Sequence, residues 1–190
     1  MLIFMSTEQN PSDERFKVYP EFSDRNHFRP ILSWERVVGK EDYQLFKIGD
    51  GFLGSAEYID KSSSQGTRYA IKLVAYTAAG WPVFTGAVDF INGEVWLGQM
   101  LGPFFTHSGY RGRQIASKMA VVGLFCMQKL IKDRNLPTRK IALRSSSAVI
   151  TGGGKLVGLL GMERIDGVQY EAHSFTNLEA LMTNLDISAY

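Results

Sequence analysis

The residues of this chain best suited to chemistry lie together in the stretch Tyr110-Arg111-Gly112-Arg113-Gln114-Ile115-Ala116-Ser117. To its left, Val95 to Phe105 is strongly apolar and reads as strand. To its right, Ile115 to Ile131 is apolar at helical spacing. The stretch is therefore a strand-to-helix turn. The first amides of a helix have no intrahelical acceptor, and they carry the positive end of its dipole. Arg111 and Arg113 add two guanidinium groups at the same place. Free amides backed by arginines hold a diphosphate, so Arg111, Gly112, Arg113, Gln114, Ile115, Ala116 and Ser117 form a candidate anion cradle.

Other motifs carry less. Gly152-Gly153-Gly154-Lys155 suggests a nucleotide loop, but a Walker-type loop needs Gly at 149 and Ser or Thr at 156. Those positions hold Val149 and Leu156. Three histidines, one cysteine and no clustered acids give no metal-ligand set. No Gly-x-Ser-x-Gly nucleophile turn occurs. Cys126 lies inside the apolar helix run and is expected to be buried and inert. His107 precedes the cradle and reads as a surface histidine.

The elements that must position the cradle follow from periodicity. Ile31, Leu32, Trp34, Val37 and Val38 keep helical spacing, and Gly39 is a plausible stop. From Tyr43 the period becomes two. Strands are expected at Tyr43 to Ile48, Phe52 to Ile59, Tyr69 to Ala75 and Val83 to Phe90, before the strand at Val95 to Phe105. Gly49-Asp50-Gly51, Ala79-Gly80-Trp81-Pro82 and Asn92-Gly93 are the turns, short enough for an antiparallel meander. In the helix after the cradle, Ile115, Met119, Val122, Cys126 and Leu130 form the apolar stripe. Lys118, Gln128, Lys129 and Lys132 lie off it. Arg139 to Leu143 is a strand reached through a helix, hence a parallel neighbour of the strand before the cradle. Lys155 to Leu160 reads as helix, Val168 to Phe175 as strand and Leu178 to Leu185 as a short helix.

Bulk properties set the frame. A chain of 190 residues, 45% hydrophobic and 21% charged, suits one globular domain. Residues 1–22 are expected to be a loosely ordered arm, with 23–190 as the domain. A net charge of +2 does not by itself imply nucleic acid or an anionic membrane. No apolar run approaches the roughly 20 residues needed to cross a bilayer. A soluble, cytoplasmic protein is expected, and a homodimer is compatible with the sequence.

The motif Tyr-Arg-Gly-Arg-x-Ile-Ala-Ser resembles the acyl-coenzyme A loop of the GNAT superfamily of N-acetyltransferases, whose pattern is Arg/Gln-x-x-Gly-x-Gly/Ala. Arg111 takes the first position and Ala116 the last, while Gln114 stands where the family has Gly. The resemblance spans roughly 43–175 and is strongest at 94–131. It implies an α/β fold: a mixed, mostly antiparallel sheet flanked by helices and split by an acyl-CoA cleft. It implies acetyl-CoA as co-substrate and transfer of the acyl group to an amine. The acceptor is unidentified: a small molecule, a protein, an aminoacyl-tRNA or DNA. It also implies that Leu101, Phe104, Phe105 and Thr106 meet the pantetheine through backbone groups. Glu94 is the candidate base, with Ser146 or Tyr170 replacing a leaving-group Tyr that the family has and Val157 does not supply. A non-catalytic CoA-binding or protein-interaction module on the same fold, and an enzyme acting on nucleic acid, are the alternatives.

Overall fold

The computed structural model describes residues 34–64, 66–98, 104–144, 156–166 and 169–190. A short helix α1 (Trp34–Val37) precedes four antiparallel strands: β1 (Tyr43–Lys47), β2 (Leu53–Asp60), β3 (Arg68–Tyr76) and β4 (Pro82–Ile91). β5 (Glu94–Leu97) and β6 (Phe105–Thr106) both pair with β4. The long helix α2 (Ile115–Asp133) leads to β7 (Lys140–Arg144), which lies parallel to β5. A helical turn at 156–159, β8 (Glu163–Arg164), β9 (Gln169–Ala172), α3 (Leu178–Asn184) and β10 (Ser188–Ala189) complete the chain. Across the sheet the order is β10-β1-β2-β3-β4-β5-β7-β9-β8. The expected mixed, mostly antiparallel α/β sheet is present.

Local chemistry accounts for the meander. Asn92 (φ 49°) and Gly93 (φ 92°) both take the left-handed region that a two-residue hairpin turn requires, and Ile91 then faces Glu94. β4 reads Pro-Val-Phe-Thr-Gly-Ala-Val-Asp-Phe-Ile and is buried along nearly its whole length, as a central strand covered on both faces must be. One face meets α2. There Ile115, Met119, Val122 and Met127 join Leu73, Phe84, Val88, Leu97 and Leu143 in the main core. On the other face Trp34 and Val37 pack on Val74 and Tyr76, with the Trp34 and Tyr76 rings 5.4 Å apart.

One expectation is corrected. Val95 to Phe105 is not one strand. β5 ends at Leu97, because Gly98 turns into the left-handed region (φ 72°) while its N–H still reaches Ala87 O at 2.9 Å. Pairing on β4 resumes at Phe105, opposite Thr85, although Leu97 lies opposite Val88. Eight steps of this segment therefore correspond to three of β4, which displaces the register by five residues. β7 follows β5 only as far as the Leu97–Leu143 pair, and β6 makes no pairing with it. Among the described residues, the sheet thus parts between β6 and β7, beside the start of α2. Two-residue strands such as β8 and β10 are too short to leave a periodic signal. Gln65, Leu101, Pro103 and Ser146, the Gly152-Gly153-Gly154-Lys155 motif and the arm at 1–22 lie outside the described residues.

The helix sits close to the sheet at Gly123. A Cβ there would stand 2.6 Å from Val88 Cγ2 and 2.7 Å from Leu73 Cδ1. Gly123→Val is expected to cost about 1–3 kcal/mol through overpacking. A melting temperature within a degree of the parent would show that the helix is not seated this tightly. Cys126 is 5% exposed, and burial pushes its thiol up to about 12. At pH 8 only about one molecule in ten thousand then carries the thiolate. Native protein should leave a disulfide reagent unreacted over minutes while unfolded protein consumes it at once. Equal rates would contradict the burial.

Candidate anion and acyl donor site

The cradle is held by short-range contacts on both sides. His107 N–H donates to Val83 O (2.9 Å), fixing the loop to the start of β4. His107 Nδ1 accepts from Gly109 N–H at 3.2 Å, and Tyr110 N–H returns to His107 O at 2.9 Å. These bonds form the single 3₁₀ turn Ser108–Tyr110. Arg111 then leaves it in an extended conformation, and its Nε donates to Thr106 O at 3.3 Å.

Two left-handed residues follow within three positions: Gly112 (φ 83°) and Gln114 (φ 59°, ψ 13°). Alternation of this kind turns successive amides toward a common side. Helical bonding begins only with Lys118 N–H to Gln114 O, at 2.9 Å. Residues 111 and 112 form a hydrogen-bonded turn, and among the described residues the N–H groups of 114–117 have no acceptor. The helix start is also uncompensated. Gln114 makes no side-chain cap bond, and the first turn carries no acid. A helix normally satisfies its first amides with a Ser, Thr, Asp or Asn cap. Here that end remains available to an external anion.

The left-handed φ of Gln114 is one that glycine adopts without strain. A non-glycine residue there costs about 1 kcal/mol or more. The Gln114 side chain is exposed and makes no cap bond.

Arg113 is held from below. Its guanidinium carbon lies 5.6 Å from the Tyr110 ring centroid and 5.9 Å from that of Phe52. The Phe52 and Tyr110 rings meet edge to face at 5.9 Å, and His107 meets Tyr110 at 5.8 Å. This aromatic shelf keeps a flexible cation beside the helix start at a reduced entropic cost. Phe52 follows the β1–β2 turn, sixty residues earlier, so local sequence does not link it to the cradle. Beside the shelf lies a cleft of about 360 Å³ lined by Asp50, Gly112, Arg113, Gln114, Lys118, Asn184, Leu185 and Asp186. Residues 112–114 therefore border open space.

The remaining expected site residues are dispersed. Thr106 and Phe105 pair with Phe84 and Thr85, and Phe104 packs edge to face on Phe84 at 5.5 Å. Glu94 begins β5, away from the parting of the sheet. Its carboxylate is 3.5 Å from Lys140 Nζ and accepts from Trp96 Nε1 at 3.2 Å. Lys140 bridges on to Glu171 at 2.9 Å, and Gln169 donates to the same Glu171 oxygen. The Glu171 hydrogen bond holds the Lys140 ammonium above its ordinary range, and the Lys140 bond holds Glu171 below its own. Both groups therefore stay charged through neutral pH. Their attraction fades only in acid, as Glu171 protonates, or in strong base.

Tyr170 lies opposite Leu143, half-buried against the α2 side of the core. Glu94 lies opposite Lys140 on the other face, by the alternation of adjacent positions. The structure thus brings Thr106 and residues 111–117 together and separates Glu94 from Tyr170. Among the described residues, no group of three or more His, Cys, Asp or Glu side chains is arranged to hold a metal ion. No described helix is long and apolar enough to cross a membrane.

Gln114→Gly is expected to raise stability by about 0.5–1 kcal/mol, because glycine removes the left-handed strain. Denaturant unfolding measures it. A loss of stability would reveal a favourable contact of the glutamine side chain.

No protein-family model and no curated protein matches the chain. Among solved structures it is similar to an acetyltransferase of the GNAT family from Staphylococcus aureus Mu50, at 17% identity over 54% of this chain and 66% of that one, with a TM-score of 0.38. It is similar to the PaiA N-acetyltransferase from Thermoplasma acidophilum in complex with coenzyme A, at 14% identity over 55% and 61%, TM-score 0.38. It is also similar to nourseothricin acetyltransferase, at 11% identity over 68% and 97%, TM-score 0.36. The chain spans less than two thirds of the length of the first two proteins.

Proposed function

We propose that this chain binds acyl-CoA and transfers its acyl group, acetyl first among the candidates, to an amine. The observation that carries the reading is the uncompensated start of α2. Four consecutive amides, those of 114–117, lack acceptors, the first turn has no acid, and two arginines stand beside them. That donor set suits a diphosphate, whose charge the dipole and the guanidinium groups both favour. The motif resemblance supplies the identity of the diphosphate as that of coenzyme A. The parting of the sheet between β6 and β7 supports a path for the pantetheine beside Phe104, Phe105 and Thr106, with Leu101 on the same segment.

Acyl-CoA supplies an activated thioester. A neutral amine attacks its carbonyl carbon, and the CoA thiolate leaves with the bonding electron pair. Glu94 is the proposed acceptor of the amine proton. Its ion pair with Lys140 and its distance from the parting of the sheet favour proton transfer through water over direct contact. Ser146 and Tyr170 are the proposed donors to the thiolate. Tyr170 stands on the α2 face and Glu94 on the other, so the two serve different sides of the strand pair.

The double variant Arg111→Ala, Arg113→Ala is expected to weaken coenzyme A binding at least about tenfold, since each charge-assisted bond contributes roughly 1.5–3 kcal/mol. Calorimetry reads this directly, and unchanged affinity would remove the cradle from the site. Acetyl transfer to a panel of amines, with CoA release followed, then separates an enzyme from a binding module. Coenzyme A binding without turnover would favour the module.

A further inference from the structure

Lys118 lies on the first turn of α2, off the helix's apolar stripe, where a lysine normally reaches solvent. Here it is 7% exposed, as deep as much of the core. Burying an ammonium is costly unless its donors are used. Among the described residues Lys118 Nζ makes no hydrogen bond. Its ionic neighbour is Asp50 at 3.6 Å, through a carboxylate whose side chain is 69% exposed. This contact exceeds hydrogen-bond length, so three N–H donors remain uncommitted.

The position is nevertheless shaped for the ammonium. Gly49, at φ 72°, presents its bare Cα to the group. A Cβ there would come within 2.6 Å of Nζ and 3.0 Å of Asp186 Oδ2. Lys118 shares its cleft with Gly112, Arg113 and Gln114, the residues that lead into the helix. A nine-tenths buried cation with unused donors thus faces the cleft beside the helix start.

We infer that Lys118 is a third cationic ligand of the acyl donor, donating to a phosphate oxygen, with Asp50 and Gly49 as positioning residues for its ammonium. The inference rests on the acyl-CoA reading. Coenzyme A offers that oxygen on its diphosphate or on its ribose 3′-phosphate, and a probe lacking the latter distinguishes the two.

The test is calorimetric titration of the full chain and of Lys118→Gln with coenzyme A and with 3′-dephospho-coenzyme A. The variant is expected to bind coenzyme A about tenfold more weakly or worse, the loss of one charge-assisted bond. An equal loss with the dephospho compound assigns Lys118 to the diphosphate. A loss seen only with coenzyme A assigns it to the 3′-phosphate. Coenzyme A affinity unchanged in Lys118→Gln, while the Arg111/Arg113 double variant still weakens it, would overturn this inference and leave the acyl-CoA reading standing. No binding by the parent chain would overturn the reading itself. If Lys118→Gln unfolds, Lys118→Met, which keeps the apolar stem, is titrated in its place, and coenzyme A affinity unchanged in it would also overturn the inference.

Discussion

The contact that the rest depends on is the close seating of α2 on β3 and β4. Gly123 allows it, because no side chain separates the helix backbone from Leu73 and Val88. That contact, with Met119 against Gly54 and Ile115 in the core, fixes where the first turn of the helix ends up. The helix start is then held beside β6 and the β1–β2 turn. It has no side-chain cap and no acid in its own first turn. A frayed or shifted helix would lose the field of its dipole there, since the dipole acts only within the first turn.

Around this point the chain places cations with separate supports. Arg111 is tied to the Thr106 carbonyl, Arg113 rests on the Phe52 and Tyr110 rings, and Lys118 lies against Gly49. Each support removes conformational freedom from a long side chain before any ligand arrives, so less entropy is lost on binding. The supports come from β6, from the 3₁₀ turn and from the β1–β2 turn, elements that meet only at this end of the sheet.

At the other end a different charge arrangement prevails. Glu94, Lys140, Glu171 and Gln169 form a connected set across β5, β7 and β9, with the Lys140 ammonium 5.3 Å from the Trp96 ring centroid. The set stitches the parallel pair of β5 and β7 to its antiparallel neighbour β9. A second tie lies at the C-terminal end of α2. There Arg134 sits over the Tyr69 and Tyr58 rings, 5.1 and 5.5 Å from their centroids. Together they tie β5, β7 and β9 to one another and the end of α2 to β2 and β3.

Much of the fold follows from local order alone. Alternation of apolar residues marks β1 to β4, Asn92-Gly93 marks the hairpin, and helical spacing marks α2, because each signal arises from neighbours a few residues apart. The cradle is legible for the same reason: glycine, two arginines and a helix start are contiguous. The break at Gly98 was hidden, because an apolar stretch looks the same whether it is one strand or two. Lys118 reads as solvated from its helical position. It is buried only because the β1–β2 turn and the residues after α3 close over it. Phe52 beneath Arg113, Asp50 and Asp186 beside Lys118, and the opposite faces taken by Glu94 and Tyr170 are likewise long-range facts. They depend on which strands become neighbours and in what register. That outcome belongs to the packing of the whole sheet against α2, and no single segment encodes it.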